Sequence, residues 1–468
     1  MNNEKSLKRV LIVATLSALM TPFMGSAMNV AITNLGKDLN GSIVMLNWVI
    51  TVFLLVSASL LLPFGRLADI YGRKRIFVIG AGIFALATFT CGLAPSLETL
   101  IVCRIFQGLG GAMTFSTGMA IVTSAFPPDQ RGRVLGINAA AVYVGLSLGP
   151  VLGGYLTEYL GWRSIYFTVA AIAAALFLTA RGLPDDRIVD NPEKYDTTGA
   201  ILITLSITAL IYGASTITTQ AAGPWIVTVG LIGLLLFGFQ EVKTKSPLLN
   251  IKVLASNTTF AYSNLAALIN YMAIFSVSYL MSLYLLVARG FDPHYAGTLL
   301  LIQPVVQALI SPVAGKMSDK IQPRLVATSG MVITLLGLAL LTTINAETDL
   351  WLIVFNLALL GLGFAMFSSP NTNAIMSSVD KRYYGIASSM VGTMRLVGQA
   401  LSMAIVSFIF AHYLGDAKIT PAVAPQLLTS AKTAFMVFTG LCLLGVFSSA
   451  VRGQVRREGS PAPDPKSE

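Results

Sequence analysis

Two arginines stand inside long apolar stretches of the sequence, where a charge is costly. Arg104 precedes Gln107 in RIFQGLGG, and Arg395 precedes Gln399 in MRLVGQ. Each glutamine lies about one helical turn beyond its arginine, within hydrogen-bonding reach. A charge at the centre of a membrane helix costs about 2.5–3.5 kcal/mol and usually serves a function. For Arg395, satisfaction by helix carbonyls at a break is an equally good interpretation. Both arginines are candidates for binding or gating.

A third charged group lies in GRLADIYGRKR, residues 65–75. Gly65 and Gly72 permit tight turns, and Asp69 stands among basic side chains with Arg73 four residues later. This spacing favours a charge network in a short loop between two spans. A basic loop with one incidental acid is the alternative.

Residues for covalent or metal chemistry are not assembled in this sequence. It contains no HExxH motif, no GxxxxGK[ST] phosphate loop and no recognisable Ser/His/Asp set. Its cysteines lie singly in apolar runs, and His294 and His412 have no ligand-like neighbours. We therefore expect no enzyme activity, no metal and no cofactor.

The elements that position these residues must be membrane helices. Of the 468 residues, 55% are hydrophobic and 11% are charged, whereas soluble domains carry roughly 25% charged residues. About 20 apolar residues span the hydrocarbon core as a helix. Fourteen such stretches are predicted, near residues 10–32, 47–67, 76–94, 97–126, 134–157, 163–183, 197–217, 225–241, 258–287, 295–315, 325–344, 350–376, 385–413 and 432–451.

The basic residues predict the orientation of these spans. With a cytoplasmic N-terminus, 24 of the 31 basic residues fall in cytoplasmic segments and five fall outside, leaving Arg104 and Arg395 within spans. This bias predicts cytoplasmic termini in a multi-pass protein of a bacterial or archaeal cell membrane. Because topology accounts for most of the net charge of +10, we expect no nucleic-acid partner.

The sequence contains an internal repeat. The segment at 65–75 aligns with GKMSDKIQPR at 315–324, and GINAAAVYVGLSLG at 136–149 aligns with GIASSMVGTMRLVG at 385–398, at offsets of 250 and 249. Two matches at nearly one offset predict an all-α fold of two six-helix bundles. The expected divisions are a first bundle, a linker with two extra helices at the rim, a second bundle and a disordered tail, at residues 1–183, 184–257, 258–451 and 452–468.

The fifth span collects residues that disfavour helices. Gly145, Gly149 and Gly153 recur every four residues and therefore share one side of the helix, as in close-packed membrane helices. Pro150 lacks an N–H and predicts a bend. We expect this side to pack tightly against the other half, although a generic close-packed helix is the alternative.

Together these motifs resemble the major facilitator superfamily, in particular its fourteen-helix drug:proton antiporters, over essentially the whole chain. The resemblance implies multidrug or amphipathic-compound efflux by alternating access with proton antiport. It implies that Asp69 and Arg73 gate the cytoplasmic side with Gly65 and Gly72, and that Arg104 takes part in proton coupling with Gln107 nearby. It also implies an antiporter motif in helix 5, formed by Gly136, Gly145, Gly149, Pro150, Gly153 and Gly154.

The resemblance fails at one position. Such antiporters usually carry an acid in helix 1, but FMGSAMNVAI has Met24 where aspartate is expected. No acid lies at a span centre; Asp69, Glu158 and Glu241 lie at span ends. Arginine stays protonated and cannot carry the proton. Coupling therefore runs through Asp69 and its link to Arg104, or the protein exports anionic, neutral or lipid-like compounds without conventional proton coupling.

The expected partners are a small amphipathic substrate, membrane lipid and, on the first hypothesis, protons. Polar side chains within the spans could bind the substrate, or could join helices at roughly 0.6 kcal/mol each. The candidates for the substrate cavity are Met24, Asn29, Asn138, Tyr143, Asn264, Asn270, Gln303, Gln307, Asn371, Arg395 and Gln399.

Overall fold

A computed structural model gives the chain an all-helical fold. It describes residues 2–126, 128–184, 194–217, 220–244, 246–249, 257–379, 384–415, 417–418 and 420–453. Within helices, the side chains at 2–5, 119, 123–124, 128–133, 135–136, 139–140, 319, 384–386 and 388–389 lie outside this description. Gly136 and Asp319 are therefore placed by their backbones only.

Fourteen helices follow one another along the described part of the chain. A π-helical turn, Tyr284–Ala288, extends the ninth helix, and the tenth helix consists of two segments that meet at Leu301. The helices are α1 (Asn2–Asp38), α2 (Ile43–Tyr71), α3 (Arg73–Gly92), α4 (Leu97–Ala125), α5 (Pro128–Leu160), α6 (Arg163–Arg181), α7 (Thr197–Thr216), α8 (Gly223–Lys243), α9 (Thr258–Leu283), α10a (Pro293–Leu300), α10b (Ile302–Lys320), α11 (Pro323–Leu341), α12 (Leu350–Ser377), α13 (Tyr384–Tyr413) and α14 (Ala424–Val451).

Each predicted span corresponds to one of these helices. Thirteen helical stretches in the described residues are long and apolar enough to cross a membrane. The remaining helix, α5, has 33 residues. Several helices extend beyond the predicted spans; α1 reaches Asp38 although its apolar run ends near residue 32. Helices can continue past the hydrocarbon core because polar side chains are hydrated there.

Two turns define the ends of the bundle. Residues 39–42 join α1 to α2 at what we call the first-loop end. Gly72 joins α2 to α3 at the opposite end, the second-loop end. Its backbone φ is 101°, a value that residues other than glycine rarely adopt. These names do not yet assign either end to a side of the membrane.

Helices α1–α6 and α9–α14 repeat one packing scheme. In the first half, α1 packs on α4, α5 and α6, and α3 packs on α4 and α6. In the second half, α9 packs on α12, α13 and α14, and α11 packs on α12 and α14. The predicted fold of two six-helix bundles is confirmed.

The same close crossing occurs once in each half. A Cβ on Gly110 in α4 would lie 2.6 Å from Phe84 N in α3. A Cβ on Gly363 in α12 would lie 2.7 Å from Thr334 N in α11. Glycine is required at both positions because the two backbones touch. The repeat therefore preserves a backbone contact as well as the order of helices.

The main contacts between the two halves join α1 to α9 and α10, α2 to α13, and α5 to α10. Two hydrogen bonds in this interface lie near the first-loop end. Ile43 N donates to Ala417 O at 3.1 Å, and Asn47 Nδ2 donates to Met403 O at 3.1 Å. Among the described residues, no extensive packing joins α4 to α12. The bundle is therefore closed at the first-loop end.

The extra helices differ from each other in their surroundings. Helix α8 packs extensively only on α7 within the described residues, and its outer face is exposed, as expected at a rim. Helix α7 packs on α8 and also on α2 and α13. Thr204 Oγ1 donates to Ser59 O at 3.2 Å, which ties α7 to α2. The rim position expected for both helices is therefore wrong for α7, which bridges the two halves.

Arg452 was expected in a disordered tail, and this expectation is wrong. Its side chain is only 1% exposed, directly after α14. Nη1 donates to Asn371 Oδ1 at 2.5 Å and Nη2 donates to Pro323 O at 3.1 Å. Burial lowers the pKa of Arg452 to about 10. This arginine joins α11, α12 and α14 of the second half, and residues 454–468 lie outside the description.

The glycine stripe of α5 contacts α1, in its own half. Cβ atoms on Gly145 and Gly149 would lie 2.4 Å from Leu19 O and 2.8 Å from Phe23 O, and one on Gly153 would meet Ala27 in the same way. The expectation that this stripe packs against the other half is wrong. The regular spacing shows that the three glycines share a face, but it does not show which neighbour that face meets.

Replacing Gly145 by alanine should destabilise the first half. The added methyl group must displace the α1 backbone, which we expect to lower the free energy of unfolding by about 1–3 kcal/mol. Thermal unfolding of the purified protein in detergent measures the change.

The matched control is Gly25→Ala on α1, where a Cβ would have no atom within 4 Å. Higher helix propensity should make this variant equal to or up to about 1 kcal/mol more stable than the parent. Equal stabilities for Gly145→Ala and Gly25→Ala would contradict the close crossing.

Candidate functional site

Arg104 lies within the first half and does not face the second. It is 3% exposed; Nε donates to Val49 O at 2.8 Å and Nη1 to Gln107 Oε1 at 2.7 Å. Gln107 Nε2 donates to Thr88 Oγ1 at 2.7 Å, and the guanidinium lies 4.8 Å from the Phe53 ring centroid. The predicted contact between Arg104 and Gln107 is present. Together these groups link α2, α3 and α4.

Asp69 and Arg73 form an ion pair at the second-loop end. Arg73 Nε donates to Asp69 Oδ1 at 2.8 Å across the break at Gly72, and both side chains are partly exposed. Arg73 Nη1 is also 3.5 Å from Ala120 O on α4. A Cβ on Gly65 would make only an ordinary contact, at 3.6 Å from Ser116 Cβ. Every described partner of this pair belongs to the first half.

The hypothesis that Asp69 links directly to Arg104 is wrong. Arg104 binds Val49 near the first turns of α2, whereas Asp69 lies in the last turn. Twenty residues of helix separate them, about 30 Å at 1.5 Å per residue. One network of side chains does not reach from one to the other.

Several of the polar candidates form hydrogen bonds inside their own half. Asn264 Nδ2 donates to Phe260 O on the same helix, and Asn371 binds Arg452 and Ser263 O. Met24, at 2% exposure, belongs to the hydrophobic core, so an acid there would be buried rather than presented to a substrate. The remaining candidates without a side-chain hydrogen bond in the described residues are Asn138, Asn270, Gln303, Gln307 and Gln399.

A polar cluster lies between the halves near the middle of the helices, and we call it the interface cluster. Ser311 Oγ on α10b donates to Tyr143 Oη on α5 at 3.1 Å, so the contact crosses from one half to the other. Tyr271 Oη on α9 and Ser368 Oγ on α12 are 3.5 Å apart. Tyr271 and Arg395 lie within electrostatic range of Tyr143. Four helices of the second half and one of the first contribute to this cluster.

Arg395 is the cation of the interface cluster. Its side chain is half-buried, and no hydrogen bond or ion pair reaches it from any residue that the structure describes. A guanidinium offers five N–H donors and stays charged. Arg104 donates to two protein groups, whereas no described residue accepts a hydrogen bond from Arg395.

Contacts near the first-loop end close the interface above this cluster. Ser282 Oγ on α9 donates to Asn29 O on α1 at 2.6 Å, and Asn29 Nδ2 donates to Ser278 Oγ at 3.3 Å. His294 Nδ1 at the start of α10a lies 2.5 Å from Glu158 Oε2 at the end of α5. Asn29 therefore contributes to the closure between the halves.

Backbone contacts between α5 and α10a strengthen this closure. A Cβ on Gly297 would lie 2.1 Å from Pro150 O, and a Cβ on Gly154 would lie 2.7 Å from Pro293 O. Of the predicted helix 5 motif, Pro150 and Gly154 thus face the other half, whereas the glycine stripe does not. Such contacts require the absence of side chains.

Tyr271, Ser311 and Ser368 were not among the residues predicted from the sequence. Serine in membrane helices commonly bonds within its own helix, and neither serine nor tyrosine is rare there, so their presence alone gives no signal. Tyr271 follows Asn270, which was a candidate, and Ser311 lies one turn after Gln307. Tyr271 and Ser311 could have been predicted because each lies beside a polar candidate on the same helix.

Comparison with known proteins gives one family. The model of the Major Facilitator Superfamily matches residues 14–248 and 264–468. Riboflavin transporter RibZ of Clostridioides difficile is 31% identical over 444 residues, which cover 93% of this chain and 95% of that protein. Multidrug resistance protein Stp of Mycobacterium tuberculosis is 28% identical over 79% of this chain and 69% of its own length.

Solved structures agree with the fold. The crystal structure of an auto-inhibited POT family peptide transporter superposes with a TM-score of 0.71 and covers 97% of this chain and 99% of its own. Its sequence identity is 15%, so the likeness concerns the fold alone.

Introducing a methyl group at Gly297 should open the first-loop end. In Gly297→Ala the new Cβ collides with Pro150 O, so α5 and α10a must separate. Spin labels at Tyr159 and Trp351, both exposed and in opposite halves, should report a longer mean distance by double electron–electron resonance. The measurement uses a background without the three native cysteines.

Gly440→Ala serves as the control, because a Cβ there has no atom within 4 Å. It should leave the distance distribution of the parent unchanged. If Gly297→Ala also leaves it unchanged, the backbone contact does not hold this end closed.

Proposed function

The chain belongs to the major facilitator superfamily, and on that premise we propose that it is a secondary active transporter that exports small amphipathic molecules by alternating access. One observation carries the proposal. The Tyr143–Ser311 contact joins the halves in mid-membrane beside the unpartnered Arg395. A substrate bound there touches both halves and can therefore influence how they move relative to each other.

Under this proposal the second-loop end faces the cytoplasm, in agreement with the excess of basic residues in its loops. The described arrangement is then closed to the outside. A substrate enters from the cytoplasm or the inner leaflet and binds the interface cluster. Release to the outside requires Asn29 to part from the serines of α9, and α5 to part from α10a.

The chemistry of the interface cluster favours substrates with an acceptor or an anion beside an aromatic or apolar body. Arg395 supplies donors for the acceptor, and Tyr271 packs edge-on against Phe364 at a centroid distance of 5.6 Å, which offers an apolar surface. No acid in the described part of the cluster would attract a cation. A relative named as a riboflavin transporter supports a planar polar substrate, and one named as a multidrug resistance protein supports drug efflux.

Proton antiport is the coupling that we propose, and export of an anionic or neutral metabolite without it is the second candidate. The absence of an acid at Met24 and the separation of Asp69 from Arg104 favour the second. The contact between His294 and Glu158 favours the first, because protonation changes the charge of an imidazole and hence its attraction to a carboxylate. This contact must break whenever the outer side opens.

Replacing Arg395 should change substrate preference by charge. In Arg395→Gln the loss of a charge-assisted hydrogen bond should lower uptake of an anionic amphiphile such as fluorescein into inside-out vesicles about tenfold. Uptake of a cation such as ethidium should stay the same or rise. Fluorescence of the accumulated dye provides the measurement.

Arg181→Gln, at an exposed arginine of the second-loop end, is the matched control and should retain the parent's rates for both dyes. Parental transport of fluorescein by Arg395→Gln would remove Arg395 from the substrate site.

Coupling can be tested separately in proteoliposomes. If transport is proton antiport, an inwardly acidic pH gradient should drive substrate accumulation and a protonophore should abolish it. His294→Ala should reduce the response to the gradient while leaving downhill exchange intact. Transport that ignores the gradient in the parent would contradict antiport and leave the second candidate.

A further inference from the structure

Two buried acids meet at the second-loop end, outside the interface cluster. Asp196 precedes α7, and Glu241 lies in the last turn of α8. Their exposed fractions are 9% and 3%. Lone buried carboxylates are costly unless they are paired or protonated. Neither transport nor the gate described above uses them.

Each acid has one oxygen on a backbone amide and one without a partner. Asp196 Oδ1 accepts from Gly199 N at 2.8 Å, and Glu241 Oε2 accepts from Leu249 N at 2.7 Å. Asp196 Oδ2 and Glu241 Oε1 are buried and have no hydrogen-bond partner among the described residues. The two unsatisfied oxygens remain to be explained.

Gly199 shows that these two oxygens lie close to each other. A Cβ on this glycine would lie 2.6 Å from Asp196 Oδ2 and 2.6 Å from Glu241 Oε1, so the two oxygens are separated by no more than twice that distance. Any larger residue would occupy the space between them. Two ionised carboxylates in such a position repel each other, and one proton removes the repulsion and supplies an O–H donor.

The surrounding charges fit a pair that holds one proton. Arg66 on α2 lies within electrostatic range of Glu241 and favours its charged form. Tyr195 and Lys194 belong to the segment before α7, and the Tyr195 hydroxyl is directed to Pro63 O. Lys243 on α8 is directed to the Phe239 ring, 4.0 Å from its centroid.

We propose that Asp196 and Glu241 share one proton and form a proton-binding site between the extra helices and α2. The site holds both ends of the extra helix pair. Asp196 caps α7 where the chain arrives from the first half, and Glu241 holds Leu249 where the chain leaves toward the second. Loss of the proton would therefore loosen the linkers between the halves. The proposal does not depend on the transported substrate.

Glu241→Gln tests the site in the full-length protein, because the glutamine amide can donate permanently to Asp196 Oδ2 and mimic the protonated acid. The midpoint temperature of thermal unfolding of the parent in detergent should fall by a few degrees as the pH is raised far enough to remove the proton. Glu241→Gln should lose this fall and keep the midpoint that the parent has at low pH. Asp196→Asn, which preserves the helix cap, should behave likewise.

Infrared absorption reports the proton directly. At about pH 6 the parent should show a carboxylic acid C=O band that is absent from Glu241→Gln. Glu347→Gln, at an exposed acid in a loop, is the control and should keep both the band and the pH response. The proposal is overturned if Glu241→Gln retains the parent's pH response, or if sodium or magnesium ions restore the parent's stability at high pH, since a metal cation would then occupy the site.

Discussion

Backbone contact between α5 and α10a is the constraint on which the arrangement of the two halves depends. Pro150 O and Gly297 approach so closely that no side chain fits between the helices. Contacts of this kind contribute packing without charged groups, so they can separate without leaving an unpaired ion in the membrane. A tight closure that can also open is what an alternating-access protein requires.

The two arginines inside the membrane differ in their position relative to the interface between the halves. Arg104 is bound entirely within the first half by Val49 O and Gln107, so it moves with that half as one body. Arg395 faces the interface without a partner in the described residues. The first arginine holds helices of one half together, whereas the second lies in the polar cluster where the two halves meet. Two residues with the same sequence context thus have different surroundings.

The fold could be predicted from the sequence because its signals are local or periodic. Apolar length predicts the spans, and the repeat near an offset of 250 residues predicts two equivalent bundles. Contacts between particular helices could not be predicted in the same way. The spacing of Gly145, Gly149 and Gly153 shows a shared face, but only the packing shows that α1 covers it. Asp69 and Arg104 resembled a coupled pair because the sequence does not show that they lie at opposite ends of the bundle.

The extra helices explain how an insertion between two halves can be tolerated. Thr204 binds Ser59 O and the Tyr195 hydroxyl binds Pro63 O, so α7 is held to α2 of the first half. Helix α2 is also the partner of α13 in the interface. Because α7 also packs on α13 of the second half, the insertion is accommodated as an added bridge beside the contact between α2 and α13. After α8, Glu241 holds Leu249, and this junction is a second point at which the insertion can influence the relative position of the halves.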